Sequence, residues 1–204
     1  DEQTNGRGRQ GKSFYSPALT GIYMTYVTHP MTALQNAVTA TTAAAVAVCK
    51  AIEELTDKKP KIKWVNDVYL GDKKICGILT EAVTDFETQT VTSVIIGIGM
   101  NIKTIDFPSD VENAASLGAN VRRADLIAAI ARELHAINNS KYNEFIDYYR
   151  THSLIIGKKI NFIQNERVTP ATAVAIDETG GLVVELESGE QTVLRSGEIS
   201  IRRR

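Results

Sequence analysis

Cysteine and histidine are scarce in this chain, with two and three copies in 204 residues. Cys49 and Cys76 form no Cys-x-x-Cys pair. Without a signal segment, that usage points to reduced thiols in a cytosolic setting and not to a disulfide framework. His29, His135 and His152 lie too far apart in sequence to suggest a metal site. No sign of charge dominates either: 23 Lys and Arg stand against 24 Asp and Glu, a net charge of −1. That balance gives no bulk attraction to nucleic acid. A membrane-length apolar run is also missing. The most apolar stretch, 31–55, is interrupted by Gln35, Asn36 and several threonines and closes on Lys50, Glu53 and Glu54. What remains is a chain 43% hydrophobic, enough for a sizeable core in one large domain or one plus a small one.

Against this even background, residues 6–14 read Gly-Arg-Gly-Arg-Gln-Gly-Lys-Ser-Phe, the densest anion-binding chemistry in the chain. Glycines let successive main-chain N–H groups converge on one anion, while Arg7, Arg9 and Lys12 supply charge. Gly6 to Ser13 also satisfies the Gly-x-x-x-x-Gly-Lys-Ser pattern of a P-loop. The context argues against that reading: Asp1 to Asn5 is polar where a buried strand is required, and Pro17 and Gly21 follow where a helix should grow. A basic, mobile surface loop is the plainer alternative.

A second segment, Lys61 to Glu81, reads as two strands around a Gly71-Asp72 turn. Ile62, Trp64, Val68, Leu70, Ile75 and Leu79 are expected on buried faces, with Asn66-Asp67 interrupting the first strand. Taken singly, Asn66-Asp67 is an Asx-type turn and Lys73-Lys74 a solvated pair. Beside the one tryptophan, and read with the first segment, the polar pair gains weight.

The two segments together resemble the biotin protein ligases. The family pattern places a glutamine shortly before Gly-Arg-Gly-Arg-x-Gly, then Ser-Pro and a glycine entering a strand; here these are Gln3, Gly6 to Gly11, Ser16-Pro17 and Gly21. Lys-Trp-x-Asn-Asp follows at Lys63 to Asp67, the Lys-x-x-Gly-Ile-Leu hairpin at Lys74 to Leu79, and Gly-x-Gly-x-Asn at Gly97 to Asn101. Departures occur at Gln10, Lys12, Phe14 and Val65, where the family often has arginine, arginine, tryptophan and proline. Charge survives at Lys12 and aromatic surface at Phe14, without the indole donor. The family's Ser-Thr-Asn segment has no counterpart after Asp1, so a fragment of a longer protein, or a numbering begun at its first ordered residue, is expected.

The resemblance implies an α+β fold: a mixed β-sheet with packed helices, of the class II aminoacyl-tRNA synthetase and biotin ligase kind, then a small SH3-like β-barrel. It implies activation of biotin by ATP to biotinyl-5'-AMP and transfer of biotin to a lysine of a carboxylase biotin carrier domain. Lys74, Arg7 and Arg9 take catalytic roles. Gln3, Arg7, Gly8, Arg9, Lys74 and Gly77 contact biotin. Gly6, Arg7, Gly8, Arg9, Gly11, Lys12, Phe14, Trp64, Asn66, Lys74 and Asn101 contact ATP or the adenylate. Mg²⁺ is expected on the ATP phosphates with Asn66 nearby, and no metal ligand is assigned. Fixed cations and N–H groups aimed at the phosphoryl oxygens are the main catalytic means. The glycine-rich segment is expected to order over the adenylate and shield it from water. A lipoate or octanoate ligase and a non-catalytic biotin-binding or DNA-binding regulator are the alternatives. A cytoplasmic enzyme without a membrane or nucleic-acid partner is expected; a homodimer is left open.

Periodicity predicts a strand at Ile22 to Val27 and a helix from Met31 to Leu55, with Leu34, Val38, Ala45, Val48, Ile52 and Leu55 near one face. It further predicts a strand at Val91 to Met100 and a helix at Ala124 to Asn139 with Leu126, Ile127, Ile130, Leu134 and Ile137 inward. A Tyr/Phe-rich helix follows to about His152. From Gly157 short strands alternate with glycine turns: Lys159 to Ile163, Ala171 to Ile176, Leu182 to Leu186, Gln191 to Leu194 and Glu198 to Ile201. A boundary is expected between 1–155 and 156–204. Arg202 to Arg204 reads as a frayed, solvated tail.

Overall fold

Strict alternation along one strand organises the first half of the molecule. In β5 (Val91–Asn101), Val94, Ile96, Ile98 and Met100 are buried, while Ile95, Gly97 and Gly99 point to the opposite, partly open face. β5 pairs antiparallel with β1 (Gly21–Thr28) on one side and β4 (Lys73–Thr84) on the other. β3 (Asp67–Leu70) and β2 (Lys61–Lys63) complete a sheet of order β1-β5-β4-β3-β2. The computed structural model describes residues 1–29, 37–85, 87–111, 113–140, 143–164 and 167–201.

The buried face of this sheet is covered by α1 (Ala37–Leu55), which packs in turn on α2 (Arg123–Asn139) and α3 (Asn143–Thr151). Alanine-rich composition allows close approach on every side, so α1 is buried from Thr39 through Cys49, not along the one face expected. Thr42 satisfies its hydroxyl locally by donating to the Thr39 carbonyl at 2.9 Å. The part of the expected helix at 31–36 lies outside the described residues. In α2 the inward set is Leu126, Ala129, Ile130, Leu134 and Ile137, whereas Ile127 is 38% exposed. The step of one residue from Leu126, a rotation of about 100°, carries it past the edge of the apolar stripe.

The segment 61–70 corrects the reading of a single interrupted strand. The chain reverses at Trp64 to Asn66, so Lys63 pairs with Asp67 and Ile62 with Val68 across a short β2–β3 hairpin. Asn66 makes the reversal: its side-chain N–H donates to the Ile78 carbonyl at 2.9 Å, and the Ile78 N–H returns to the Asn66 carbonyl at 3.0 Å. The Trp64–Val65 peptide is cis.

The second sheet, β6 (Lys159–Gln164), β7 (Arg167–Ile176), β8 (Leu182–Leu186), β9 (Gln191–Leu194) and β10 (Glu198–Ile201), runs in the order β10-β6-β7-β8-β9. Three of these strands have the expected bounds; β6 and β7 are longer. Residues 202–204 lie outside the described residues. All named strand pairings in both sheets are antiparallel; among the described residues, parallel contact is confined to bridges at Ile62–Ser153 and Lys74–Ala114. One apolar core continues through both sheets.

The β7–β8 turn docks on α1. Asp177 accepts N–H bonds from Thr179 at 2.7 Å and Gly181 at 2.8 Å, which shapes the turn. The Trp64 indole N–H donates to the Gly180 carbonyl at 2.9 Å, and the Tyr149 hydroxyl to the Val65 carbonyl at 3.2 Å. The β2–β3 reversal is therefore fixed from the second sheet and from α3 together.

Candidate active site

The open face of the first sheet is the floor of a cavity of about 530 Å³, roofed by residues 3–14 and closed at one side by Gly197 to Ile199. Gly77 and Gly99 face each other on β4 and β5. The Phe14 ring lies on them: a Cβ at Gly99 would fall 2.6 Å from it, and one at Gly77 3.3 Å away. Bare backbone at these two positions lets an aromatic ring approach the sheet closely. Tyr23, Leu79, Ile95 and Gly97 continue this floor as an apolar slot.

The glycine-rich segment folds as an irregular hairpin. Gln3 and Ser16 are bridged, as are Arg7 and Ser13, and the Phe14 N–H donates to the Gly6 carbonyl at 2.9 Å. Gly6 admits no side chain, because a Cβ there would lie 2.4 Å from the Phe14 carbonyl oxygen. At the tip, Gly11 takes φ +75°, a left-handed conformation suited to glycine. Among the described residues no α-helix opens after the segment, which runs through a turn into β1, unlike a P-loop.

Each cation of the roof has an anchor. Arg9 donates to Asn66 Oδ1 at 3.1 Å, and Asn66 is itself bonded to β4. Arg7 pairs with Glu81 at 3.1 Å, and Lys12 pairs with Glu198 of β10. Gln3 accepts the Ser16 hydroxyl at 2.9 Å, which leaves its side-chain N–H groups to donate into the cavity it lines.

Lys74 stands at the start of β4 with its ammonium 2.7 Å from Asp67 Oδ1, an oxygen sealed from solvent that faces this one group. Its main chain is clamped as well. The Lys74 N–H donates to the Asn113 carbonyl at 2.7 Å, and the Ala115 N–H to the Lys74 carbonyl at 2.9 Å. Asn101 completes the clamp by donating from its side chain to the Ala115 carbonyl at 3.3 Å.

Most expected residues therefore meet at one place: Gln3, Arg7, Gly8, Arg9, Lys12, Phe14, Trp64, Asn66, Lys74 and Gly77 all line the cavity. Three do not. Gly6 and Gly11 shape the roof from within. Asn101 is buried at the end of β5 outside the cavity lining, and its side chain acts on the segment that holds Lys74 by donating to the Ala115 carbonyl. Sequence reading passed over Lys63, Asp67, Glu81 and Glu198. The first two were legible as the ends of Lys-Trp-x-Asn-Asp, where a hairpin sets them opposite one another. Glu198 carried no signal.

Electrostatically the cavity is divided. Its lining holds five cations, Arg7, Arg9, Lys12, Lys63 and Lys74, against three carboxylates, Asp67, Glu81 and Glu198. Burial pulls the Lys63 ammonium below its ordinary pKa, while Asp67 opposes the shift and Lys74 adds to it. Burial likewise pushes the Tyr69 hydroxyl up to about 12, with Asp67 adding to the rise. Among the described residues no group of three or more His, Cys, Asp or Glu side chains is placed to hold a metal.

An apolar slot ending in a cluster of lysines and arginines under a glycine-rich roof defines an anion-activating site. Comparison with known proteins gives it a family. Residues 1–101 match the sequence profile of the biotin/lipoate A/B protein ligase family, and residues 155–202 that of the biotin protein ligase C-terminal domain. The chain belongs to the biotin protein ligase family. It is 31% identical over 204 residues to the bifunctional ligase/repressor BirA of Bacillus subtilis, covering 93% of this chain and 61% of that protein. The biotin–[acetyl-CoA-carboxylase] ligase of Mycobacterium tuberculosis is 26% identical, with 98% of this chain and 76% of that protein covered. The structure of the Aquifex aeolicus biotin protein ligase in complex with biotin and ATP superposes with a TM-score of 0.84 at 26% identity, covering 100% of this chain and 87% of that one. The chain spans about three fifths of the length of the Bacillus relative.

Proposed function

We propose that the chain, as part of its full-length protein, activates biotin with ATP and transfers it to a lysine of a carboxylase biotin carrier domain. The observation that carries this reading is the convergence of the glycine-rich roof, Lys74 and the Gly77–Gly99 floor on one cavity that is apolar at one end and cationic at the other. The relatives support it: the Aquifex enzyme binds biotin and ATP in this fold.

In the first step the biotin carboxylate attacks the α-phosphorus of ATP, an acyl–phosphate bond forms, and the bond to the leaving pyrophosphate breaks. Two anions must meet and charge builds on the phosphoryl oxygens. Lys74, held by Asp67, and Arg9, held by Asn66, supply fixed positive charge without reorganising during the reaction. Arg7 and the main-chain N–H groups of the roof reinforce them. The slot over Tyr23, Leu79 and Ile95 takes the apolar body of biotin, and Gln3 offers amide donors to its polar groups. In the second step the acceptor lysine amine attacks the acyl carbon, an amide forms and AMP departs, while the roof excludes water.

Mg²⁺ fits as a companion of the ATP phosphates and not as a resident of a protein cage. Asn66 already gives its oxygen to Arg9, and the carboxylates of the lining, Asp67, Glu81 and Glu198, each already face a cation. The ion would neutralise phosphate charge. Residues 1–155 are read as the catalytic unit and 156–204 as an SH3-like unit that holds the Trp64 turn. No helix among the described residues is long and apolar enough to cross a membrane, and a cytoplasmic location is part of the proposal.

The test is ATP–pyrophosphate exchange by the full-length protein with biotin, octanoate or lipoate. Biotin-dependent exchange is expected; exchange with octanoate or lipoate alone would assign the other branch of the family, and none with any acid would remove the ligase reading.

A further inference from the structure

Four of the five cavity cations are engaged by a side-chain oxygen: Arg7 by Glu81, Lys12 by Glu198, Lys74 by Asp67 and Arg9 by Asn66. Lys63 differs. No carboxylate lies within ion-pair distance of its ammonium among the described residues; it sits 5.7 Å from the centroid of the Tyr69 ring, half-withdrawn from water, in the cavity wall. A lysine laid along a ring on a free surface needs no explanation beyond covering apolar area. One drawn into a wall whose lining already carries surplus positive charge is costly unless an anion arrives.

Position indicates which anion. The apolar slot lies over β1, β5 and β4, Lys74 begins β4, and Lys63 ends β2 at the far edge of the sheet. Neighbouring strands stand about 4.8 Å apart, so Lys63 is rooted roughly 10 Å from β4 on the side away from the slot. A carboxylic acid seated in the slot meets the α-phosphate at Lys74, and the remaining phosphates extend towards β2. We propose that Lys63 binds the β- and γ-phosphates of the nucleotide and the pyrophosphate they become. The departing oxygen takes the electron pair of the broken bond to the α-phosphorus, and the Lys63 ammonium neutralises that charge with no proton transferred. Arg7 and Arg9 in the roof and Lys74 at the floor are thereby left for the reacting centre. This rests on the ligase reading.

The test uses the full-length protein with Lys63→Met and Lys63→Arg. Binding of inorganic pyrophosphate and of biotin, each alone, is measured by calorimetry; exchange kinetics and transfer from pre-formed biotinyl-5'-AMP are measured alongside. Lys63→Met is expected to weaken ATP and pyrophosphate by roughly 10- to 100-fold, the size of one lost charged hydrogen bond. Biotin affinity and transfer from the pre-formed adenylate should be unchanged, and Lys63→Arg should restore most of the loss. Unaltered ATP and pyrophosphate constants in Lys63→Met, beside a wild type that exchanges with biotin, would overturn the assignment alone. An equal loss of transfer from the pre-formed adenylate would also overturn it, by making Lys63 structural. Absence of exchange in the wild type would strike the ligase reading itself, while pyrophosphate binding lost in Lys63→Met would still support the anion subsite.

Discussion

The indole N–H of Trp64 donates to the main-chain carbonyl of Gly180 at 2.9 Å, across 116 residues of sequence. Trp64 closes the hairpin that sets Lys63, Asn66 and Asp67 at the cavity, and Gly180 tips the β7–β8 turn. The second sheet thus holds the cationic wall in place through this turn, and through Glu198 it also reaches Lys12 of the roof.

Trp64→Phe keeps an aromatic body and removes the donor. The buried Gly180 carbonyl then loses its partner, at a cost of about 1–3 kcal/mol. At this size that is a fall in Tm of about 2–4 °C per kcal/mol, read by thermal denaturation. Activity measured well below the transition should fall less than in variants of Lys74, because the cations themselves remain.

Lys74→Met should lose about 10²–10³-fold in exchange rate with secondary structure intact by circular dichroism. Asp67→Asn tests orientation apart from charge. It leaves the ammonium present but unheld, so a smaller loss, confined to kcat, is expected. Loss in Asp67→Asn as large as in Lys74→Met would mean that the carboxylate itself acts on substrate or metal.

How far the sequence reached depended on range. Short strands between glycine turns were readable in the second sheet because each is bounded by local turn chemistry, as at Ser188-Gly189. The β2–β3 reversal was not, since its cause is a pair of hydrogen bonds from Asn66 to Ile78 on a strand not yet formed. Motif residues converged because a single floor, the Gly77–Gly99 pair, organises them. Asn101 ends the Gly-x-Gly-x-Asn motif yet lies outside the cavity lining, where it supports Ala115 and through it Lys74, a contact from a distant loop that nothing local to 97–101 signals. Glu198 arrives from a different sheet, and nothing local to residues 198–201 signals Lys12.

Asp177 gives the fold an acid dependence. Burial alone would push its carboxyl up, but bonds from the Thr179 hydroxyl and the Gly181 and Thr179 N–H groups, with Arg195 nearby, outweigh burial and hold it below the ordinary range. A carboxyl lowered in the folded state contributes stability that is present above its unfolded pKa, near 3.8, and lost as pH falls through the folded value. Thermal denaturation between pH 7 and pH 3 should therefore show a smaller drop in Tm for Asp177→Asn than for wild type, with the variant already less stable at pH 7. Equal drops would mean that other carboxylates govern the acid limb.

The floor offers the sharpest test of the cavity. Gly99→Ala would place a methyl group 2.6 Å from the Phe14 ring, too close to coexist with it. β5 is hydrogen-bonded on both sides and cannot retreat. Phe14 must lift instead, and the roof with it, because its N–H is bonded to the Gly6 carbonyl. Displacing positioned groups by about 1 Å costs on the order of 10²-fold in rate, so a fall of that order in kcat/KM is expected, with faster escape of the acyl-adenylate into solvent. Gly77→Ala meets Phe14 at 3.3 Å and the Lys74 side chain at 3.2 Å, contacts that small shifts relieve, and should be milder. Measuring free biotinyl-5'-AMP released per turnover separates the two variants, and equal release from both would mean that Phe14 does not seal the site.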